Sequence, residues 1–243
     1  MRGFASVFKR EVKEYFSTPL AYVFLVVFLM LCALLTFMGD FFKMRQASMQ
    51  VFFSKVPMLF IFLVPAIAMR LWAEERRSNS IELLFSLPIT TTQAVLGKYF
   101  AALGVLVLAM VLTFPMVMTV TYLGDPDWGP IITGYVGSLL LAGAYLAIGS
   151  FFSVLTRSQV IAFVLGVVFC GGFLYLDSTQ VMSMLSNIAP MGFVDAMASM
   201  SFQARFESIQ RGVMELRDLL FFILMIAGWL WANIILLEER RAA

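Results

Sequence analysis

The chain has no histidine, and charged residues make up only 13% of its 243 residues. Without histidine it lacks the commonest general base and the commonest metal ligand of proteins. Its two cysteines, Cys32 and Cys170, both lie inside apolar runs, where we expect small buried side chains and not a disulfide. Neither a metal centre nor a histidine-dependent catalytic site is therefore predicted.

Motifs for nucleotide binding and ion coupling are missing as well. Gly97-Lys98 has no glycine at the upstream position that a G-x-x-x-x-G-K-[ST] phosphate-binding loop requires. The predicted spans contain no Asp, Glu, Lys or Arg away from their ends, whereas ion-coupled carriers normally keep an ionisable residue there. We therefore predict that the chain binds no ATP in this way and couples to no ion gradient. The net charge of +2 gives no indication of nucleic-acid binding.

The composition that remains is typical of an integral membrane protein. Hydrophobic residues make up 61% of the chain, against about 45–50% in soluble proteins. A membrane-spanning helix needs about 20 mostly apolar residues. The apolar runs predict a single all-α polytopic domain, residues 1–243, with a kink at Pro115 and six spans at residues 19–38, 49–69, 99–123, 131–155, 158–176 and 219–237.

The distribution of basic residues predicts the orientation. Eleven of the 17 Lys and Arg residues lie on the side that holds both termini and the loop at residues 70–98. Because cytoplasmic loops carry the excess of Lys and Arg, this side is predicted to be cytoplasmic. Trp72 and Trp128 stand where aromatic residues of the membrane interface usually occur.

Residues 1–18 predict an amphipathic helix that lies in the membrane interface, because apolar residues recur at helical spacing with basic residues between them. A cleavable signal peptide is the competing interpretation. The apolar run that follows is too long for one, and no small-residue cleavage site follows it. The residues assigned to this interfacial helix are Phe4, Phe8, Lys9, Arg10, Val12 and Lys13.

Residues 177–218 form the largest predicted external segment. Its first part is uncharged but interrupted by Asn187, Pro190 and Gly192, so a re-entrant or interface-lying segment is predicted there. The later part predicts an amphipathic helix on the outer surface that runs into the sixth span. A folded cap with no functional role is the alternative. The apolar residues at helical spacing are Phe202, Phe206, Ile209, Val213 and Leu216.

Small residues recur along the fourth span. Gly134, Ser138 and Ala142 lie four residues apart, and Gly143 and Ala147 repeat the spacing beside them. Small residues at this spacing let helices approach closely. Packing within the chain is the favoured interpretation, and a dimer interface is the alternative.

The segment at residues 70–98 is the longest charged stretch between two spans. We predict that it leaves the membrane as a helical loop and contacts a soluble partner, because an acidic and basic run precedes a short apolar patch that Pro88 ends. A solvated hinge with a surface-lying helix is the alternative. The predicted contact residues are Glu74, Glu75, Arg76, Arg77, Ile81, Glu82, Leu83, Leu84, Phe85, Leu87 and Lys98.

This segment resembles the signature loop of ABC-2 type transporter permeases. In that family an acidic-basic run, an I-E-L-L sequence, a proline and a Gly-Lys pair follow one another before the third span. Here they correspond to Glu74–Arg77, Ile81–Leu84, Pro88 and Gly97-Lys98. Stretches that are similar to the gliding-motility-associated subgroup of these permeases occur at residues 62–69, 123–128, 149–163 and 211–220.

The resemblance implies a permease subunit that is not itself an enzyme and holds no cofactor. Separate ABC ATPase subunits would hold ATP and Mg²⁺, and would contact the interfacial helix and residues 81–87. The family further implies a dimer with a second copy or a paralogue, a bacterial inner membrane, and a companion protein with a large periplasmic domain. Substrate export or force transmission is the implied function. A non-transporting membrane anchor is the alternative, and a polytopic membrane enzyme is a third hypothesis.

Overall fold

The structure is a computed structural model that describes residues 2–38, 41, 48–78, 80, 89–186 and 191–242. Every regular element in these ranges is a helix, so the predicted all-α class is confirmed. We number the helices in chain order as α1 Arg2–Ser17, α2 Pro19–Phe37, α3 Gln50–Ala68, α4 Arg70–Arg77, α5 Thr91–Val111, α6 Phe114–Leu123, α7 Trp128–Leu155, α8 Gln159–Leu174, α9 Thr179–Ser186, α10 Met191–Ser199, α11 Phe202–Gln210 and α12 Leu216–Ala242.

Fewer helices than the predicted six have the length and composition of a membrane span. Four do so in the part of the chain described: Gln50–Arg77, Thr91–Leu123, Trp128–Leu155 and Leu216–Arg240. The pair α1 and α2, bent by 70°, supplies a fifth if it counts as one span. The apolar helix α8 has 16 residues, which is about 24 Å of helix against a hydrocarbon core of about 30 Å.

The third apolar run is interrupted between α5 and α6. Proline has no N–H, and its ring excludes the carbonyl four residues earlier, so helical hydrogen bonding cannot continue through Pro115. The chain forms a turn at Leu112 and Thr113 and resumes as a helix with Pro115 in its first turn. The Thr113 hydroxyl donates to the carbonyl of Met110 at 2.6 Å, and the Tyr135 hydroxyl lies 2.8 Å from the Thr113 hydroxyl. The predicted kink is confirmed.

Helix α7 is the centre of the bundle and contacts α3, α4, α5, α8, α11 and α12. Glycines on α7 allow α3 to approach closely. A Cβ atom at Gly134 would lie 2.5 Å from the ring of Phe53, and one at Gly149 would lie 2.6 Å from the Cβ of Ala68. The two helices therefore pack backbone against side chain along much of their length.

The other small residues of α7 also face helices of this chain. The Tyr99 hydroxyl of α5 donates to the carbonyl of Gly143 at 3.1 Å, and the side chain of Ile226 on α12 lies near the same glycine. Ser138, Ala142 and Ala147 have no exposed surface. The recurring small residues thus occupy contacts between helices of one chain.

The segment between α8 and α12 differs from the prediction. Helix α11 ends at Gln210, and the chain turns at Gly212, whose φ of 90° lies in the left-handed region that favours glycine. Helix α11 therefore does not continue into the sixth span. Val213 and Leu216, which were assigned to the same helix face, are exposed beyond this turn. Asn187 and Pro190 lie outside the described residues.

The apolar face of α11 is buried in the bundle, and the placement of this helix on the external side of the membrane stays a prediction. Phe202, Phe206 and Ile209 have no exposed surface. The ring of Phe202 lies 5.5 Å from that of Tyr145 on α7, and a Cβ atom at Gly137 would lie 2.6 Å from Ile209. Because α8 is short, α11 occupies the space beside α7 that a longer helix would fill.

The close packing at Gly134 leads to a stability prediction. Gly134→Ala places a methyl group against the Phe53 ring, and overpacking of this kind costs about 1–3 kcal/mol. We expect a lower melting temperature for this variant, measured by thermal unfolding of the purified chain in detergent. Gly104→Ala is the matched control, because a Cβ atom at Gly104 of α5 meets nothing within 4 Å. Equal melting temperatures for both variants would contradict the packing.

Candidate functional site

Helix α4 carries the sequence RLWAEERR and follows α3 after one intervening residue, Met69. Its apolar side chains are buried, and Arg76 and Arg77 stand in its last turn, where positive charge suits the negative end of the helix dipole. The predicted loop at residues 70–98 therefore begins as a helix. It also ends as one, because α5 starts at Thr91, with a capping box between Thr90 and Gln93.

The joint between α3 and α4 is held by a hydroxyl group of α7. The backbone N–H groups of Trp72 and Ala73 each donate to Ser153 Oγ at 3.0 Å, and this hydroxyl donates to the carbonyl of Met69 at 2.9 Å. The first N–H groups of a helix have no partners within the helix. A side chain of α7 thus supplies the cap that the local sequence of α4 lacks.

The far end of α4 is also bonded to α7. The guanidinium of Arg76 donates to the carbonyl of Val154, near the end of α7. Arg70 and Glu74 form an ion pair along α4 at 2.9 Å, and Arg77 is exposed. Helix α4 is therefore fixed to α7 at both of its ends.

On its other side, α4 meets α1 and α5 through four charged side chains, which we call the charged junction: Arg10, Glu11, Glu75 and Lys98. Lys98 Nζ lies 2.9 Å from Glu11 Oε1 and 3.0 Å from Glu75 Oε1. Arg10 Nη2 lies 2.8 Å from Glu11 and 3.1 Å from Glu75. The side chains of Lys98 and Glu11 are only 3% and 7% exposed, so solvent ions screen their attraction little.

The indole of Trp72 forms the apolar floor of the charged junction. Its ring has no exposed surface, and Lys98 Nζ lies 5.2 Å from the ring centroid, where a cation is attracted by the π face. The ring is enclosed between helices and faces neither lipid nor solvent, and the predicted interfacial depth of Trp72 stays a prediction.

Two opposing effects set the pKa of Glu11. Burial favours the neutral carboxyl and alone would raise the pKa. The charges of Lys98 and Arg10, which also donate hydrogen bonds to the carboxylate, favour the ionised form and hold the pKa below its ordinary value. Glu11 therefore stays charged at neutral pH, opposite the lysine and the arginine.

The Gly97-Lys98 pair has a structural explanation at this junction. A Cβ atom at Gly97 would lie 2.9 Å from Val7, so only glycine admits α1 at this distance. The next residue, Lys98, then reaches Glu11, which lies one helical turn beyond Val7 on the same face of α1. The glycine allows α1 to contact α5, and the ion pair between Lys98 and Glu11 stabilises this contact.

A small cavity of about 40 Å³ adjoins the charged junction and is lined by residues of α1, α4 and α5, among them Tyr15, Arg70 and Glu74. This volume is enough for a water molecule. Glu75 also lines the cavity, and its Oε2 atom is buried without a hydrogen-bond partner among the residues that the structure describes. The cavity thus places polar groups beside the second oxygen of Glu75.

The structure brings some of the predicted contact residues together and leaves others apart. Glu75 and Lys98 meet in the charged junction, where the charge of Lys98 is directed inward and is not presented to solvent. Glu74, Arg76 and Arg77 lie along α4. The remaining predicted contact residues lie outside the described part of the chain: Ile81, Glu82, Leu83, Leu84, Phe85 and Leu87.

Of the predicted interfacial residues, only Arg10 joins the charged junction. The rings of Phe4 and Phe8 stack at 6.1 Å, and Phe4 also meets Phe100 of α5 at 6.2 Å. Val12 is half-buried, whereas Lys9 and Lys13 are exposed. The face of α1 that carries Val7 and Glu11 packs against α5, whereas the side chains of Lys9 and Lys13 are exposed to solvent.

Two residues of this site were missed from the sequence. Glu11 is an acid within a basic amphipathic helix, four residues after Val7, and this position on an apolar face is a signal for a buried ion pair. Ser153 carries no such signal, because its role depends on the break at Met69 in a distant helix.

A family model described as ABC-2 family transporter protein matches residues 42–235 of the chain. The match covers more than half of the chain. It includes α3 to α11 and most of α12, and so contains Glu75, Trp72, Lys98 and Ser153 of the site. Helix α1, with Arg10 and Glu11, precedes the matched range. No curated protein matches the chain.

Glu11→Gln should weaken the junction by about 3 kcal/mol, because it leaves the buried charge of Lys98 with one partner fewer. We expect a lower melting temperature and faster tryptic cleavage of α1 at the exposed Lys9 and Lys13. Glu14→Gln is the matched control, because Glu14 is exposed on the same helix and forms no ion pair with a described residue. Unchanged stability and cleavage in Glu11→Gln would contradict the role of this pair.

The pH dependence of the same measurement provides a further check. A lowered pKa in the folded state means that Glu11 stabilises the fold above its ordinary pKa near 4.5, and that this stabilisation is lost as the pH falls through the lower folded value. The variant lacks this titrating group. The difference in stability between the two proteins should therefore shrink as the pH falls below the ordinary pKa of the carboxyl.

Proposed function

The chain belongs to the ABC-2 transporter family, and we propose that it is the membrane-spanning permease subunit of an ABC transporter. Separate ATPase subunits would bind ATP and Mg²⁺ and drive it. The charged junction carries this proposal, because it connects the predicted contact segment, residues 81–87, to the helices of the bundle. The transporter would either export a substrate or transmit force across the membrane.

The contact segment lies in the chain between α4 and α5, so a force applied to this segment would act on both helices. Helix α4 is bonded to α7 through Ser153 and Arg76, so the force would reach α7. Helix α5 is bonded to α1 and α4 through Lys98, so the force would reach these helices as well. Because these contacts are buried or charge-assisted, α1, α4 and the start of α5 would move together when an ATPase displaces the segment.

The junction would position the contact segment without itself touching the ATPase. Lys98 and Glu11 are enclosed, so their charges hold helices in place. The exposed Arg77, at the end of α4, and the exposed Lys9 and Lys13 of α1 lie outside this network and offer positive charge to a partner. The predicted interfacial helix α1 would rest on the cytoplasmic membrane surface beside the segment.

We further propose six spans, with α2 and α8 crossing the bilayer together with the four longer helices. Both are strongly apolar, and α11 packs against α7 and the short α8. An even number of spans places both termini on the side that carries most of the Lys and Arg residues, the cytoplasm of a bacterial cell. A second copy or a paralogue would complete the transporter, and a companion protein with a periplasmic domain would fit the gliding-motility-associated subgroup.

The contact segment is tested by substitutions within it. We expect that Leu84→Asp and Glu82→Arg abolish co-purification with the cognate ATPase while membrane insertion stays intact, because each reverses the polarity or charge of the proposed contact. The matched controls are Val213→Asp and Glu215→Arg, which make the same changes at exposed positions near the other end of the bundle. Retained co-purification in both segment variants would refute the contact.

The orientation is tested by labelling single cysteines with a membrane-impermeant maleimide in intact cells. Cys32 and Cys170 are buried, so the background is low. We expect that Arg217→Cys reacts from outside the cell, whereas Lys13→Cys reacts only after lysis, because both positions are exposed but lie on opposite sides. Reaction of Lys13→Cys in intact cells would place the contact segment outside the cell and overturn the proposal.

A further inference from the structure

A cleft of about 470 Å³ opens at the end of the bundle away from the charged junction. It lies between the first turns of α3, the end of α8, the beginning of α9 and α11. Its volume falls within the range of about 300–1,000 Å³ that is usual for ligand sites. It exists because α8 ends early, so that the chain after Leu174 leaves the side of α3 uncovered.

In the proposed orientation, the first turns of α3 place the cleft near the membrane boundary. Lys55 lines it and stands five residues after the start of α3, which is about 8 Å along the helix. Met58 and Tyr175 also line it, and both are about half exposed, as expected of side chains that face lipid. A polar end and an apolar side thus meet in one cleft.

Two opposite charges line this cleft without pairing to one another. Neither Lys55 nor Asp177 forms an ion pair with any residue of the described ranges. Asp177 accepts a hydrogen bond from Ser201 at 2.8 Å, which positions the carboxylate just beyond the C-terminal end of α8. Lys55 is exposed and Asp177 is partly buried, so a ligand that carries both a negative and a positive charge can pair with each of them.

We propose that this cleft binds a zwitterionic phospholipid with a primary ammonium group, of the phosphatidylethanolamine class. Its phosphate pairs with Lys55 and its ammonium with Asp177, while its acyl chains follow Met58 into the bilayer. Thr179 and Gln203 line the same cleft and offer hydrogen bonds to the headgroup. Binding requires no ATPase, so this inference does not depend on the contact at residues 81–87.

The charges of the cleft disfavour other lipid classes. An anionic headgroup would satisfy Lys55 but place its phosphate beside Asp177 with no cation between them. A choline headgroup is zwitterionic, but its quaternary ammonium has no N–H group to donate to the carboxylate. A lipid with a primary ammonium satisfies both side chains.

The test is a titration of the purified full-length chain with palmitoyl-oleoyl phosphatidylethanolamine, phosphatidylcholine or phosphatidylglycerol, read by native mass spectrometry. We expect the first phosphatidylethanolamine to bind about fivefold more tightly than either other lipid, the effect of about 1 kcal/mol for a partly exposed ion pair. Equal affinity for the three lipids would overturn the proposal.

Variants separate the two contacts. Lys55→Gln should lower phosphatidylethanolamine affinity about fivefold, and Lys55→Arg should restore it. Asp177→Asn keeps an acceptor for Ser201 but should remove the preference over phosphatidylglycerol. Arg217→Gln is the control, because Arg217 is exposed at the start of α12 and does not line the cleft. Loss of affinity in Arg217→Gln equal to that in Lys55→Gln would show a general surface charge effect and refute the site.

Discussion

The arrangement of the bundle around α4 depends on the burial of one lysine. A lysine that is removed from water destabilises a fold unless it is paired and hydrogen-bonded. Lys98 meets this condition only where Glu11 of α1 and Glu75 of α4 both reach it, above the ring of Trp72. Helix α1 must therefore meet α4 and α5, which are distant from it in sequence, at one point, and none of the three can shift alone without exposing or isolating a charge.

This constraint gives the bundle two different ends. At one end, charges and the Ser153 hydroxyl connect α1, α4, α5 and α7. At the other end, α8 is short, and the chain returns as α11 to fill the space beside α7. There the residual charges of Lys55 and Asp177 line an open cleft. The proposed drive and the proposed lipid contact thus lie at opposite ends of α3.

Periodicity predicted much of the fold because it reports which side of a helix is apolar. The spans that contain α3, α5 and α7 follow from the length of the apolar runs. The break before Pro115 follows from the missing proline N–H. Periodicity identified the apolar face of α11 but not what this face contacts, since an apolar face looks the same in sequence whether it meets lipid, the interface or another helix. The side chain of Phe202 is enclosed by other helices, which local spacing cannot show.

The sequence by itself determined that this is an all-α membrane protein without histidine chemistry, and its signature segment indicated the transporter family. Only the tertiary structure decided which charges meet. The partners Glu11 and Lys98 are 87 residues apart, and Ser153 lies more than 80 residues from Trp72, to whose backbone it bonds. Local pattern reports the properties of one helix, whereas a buried ion pair depends on how separate helices pack, which no local spacing encodes.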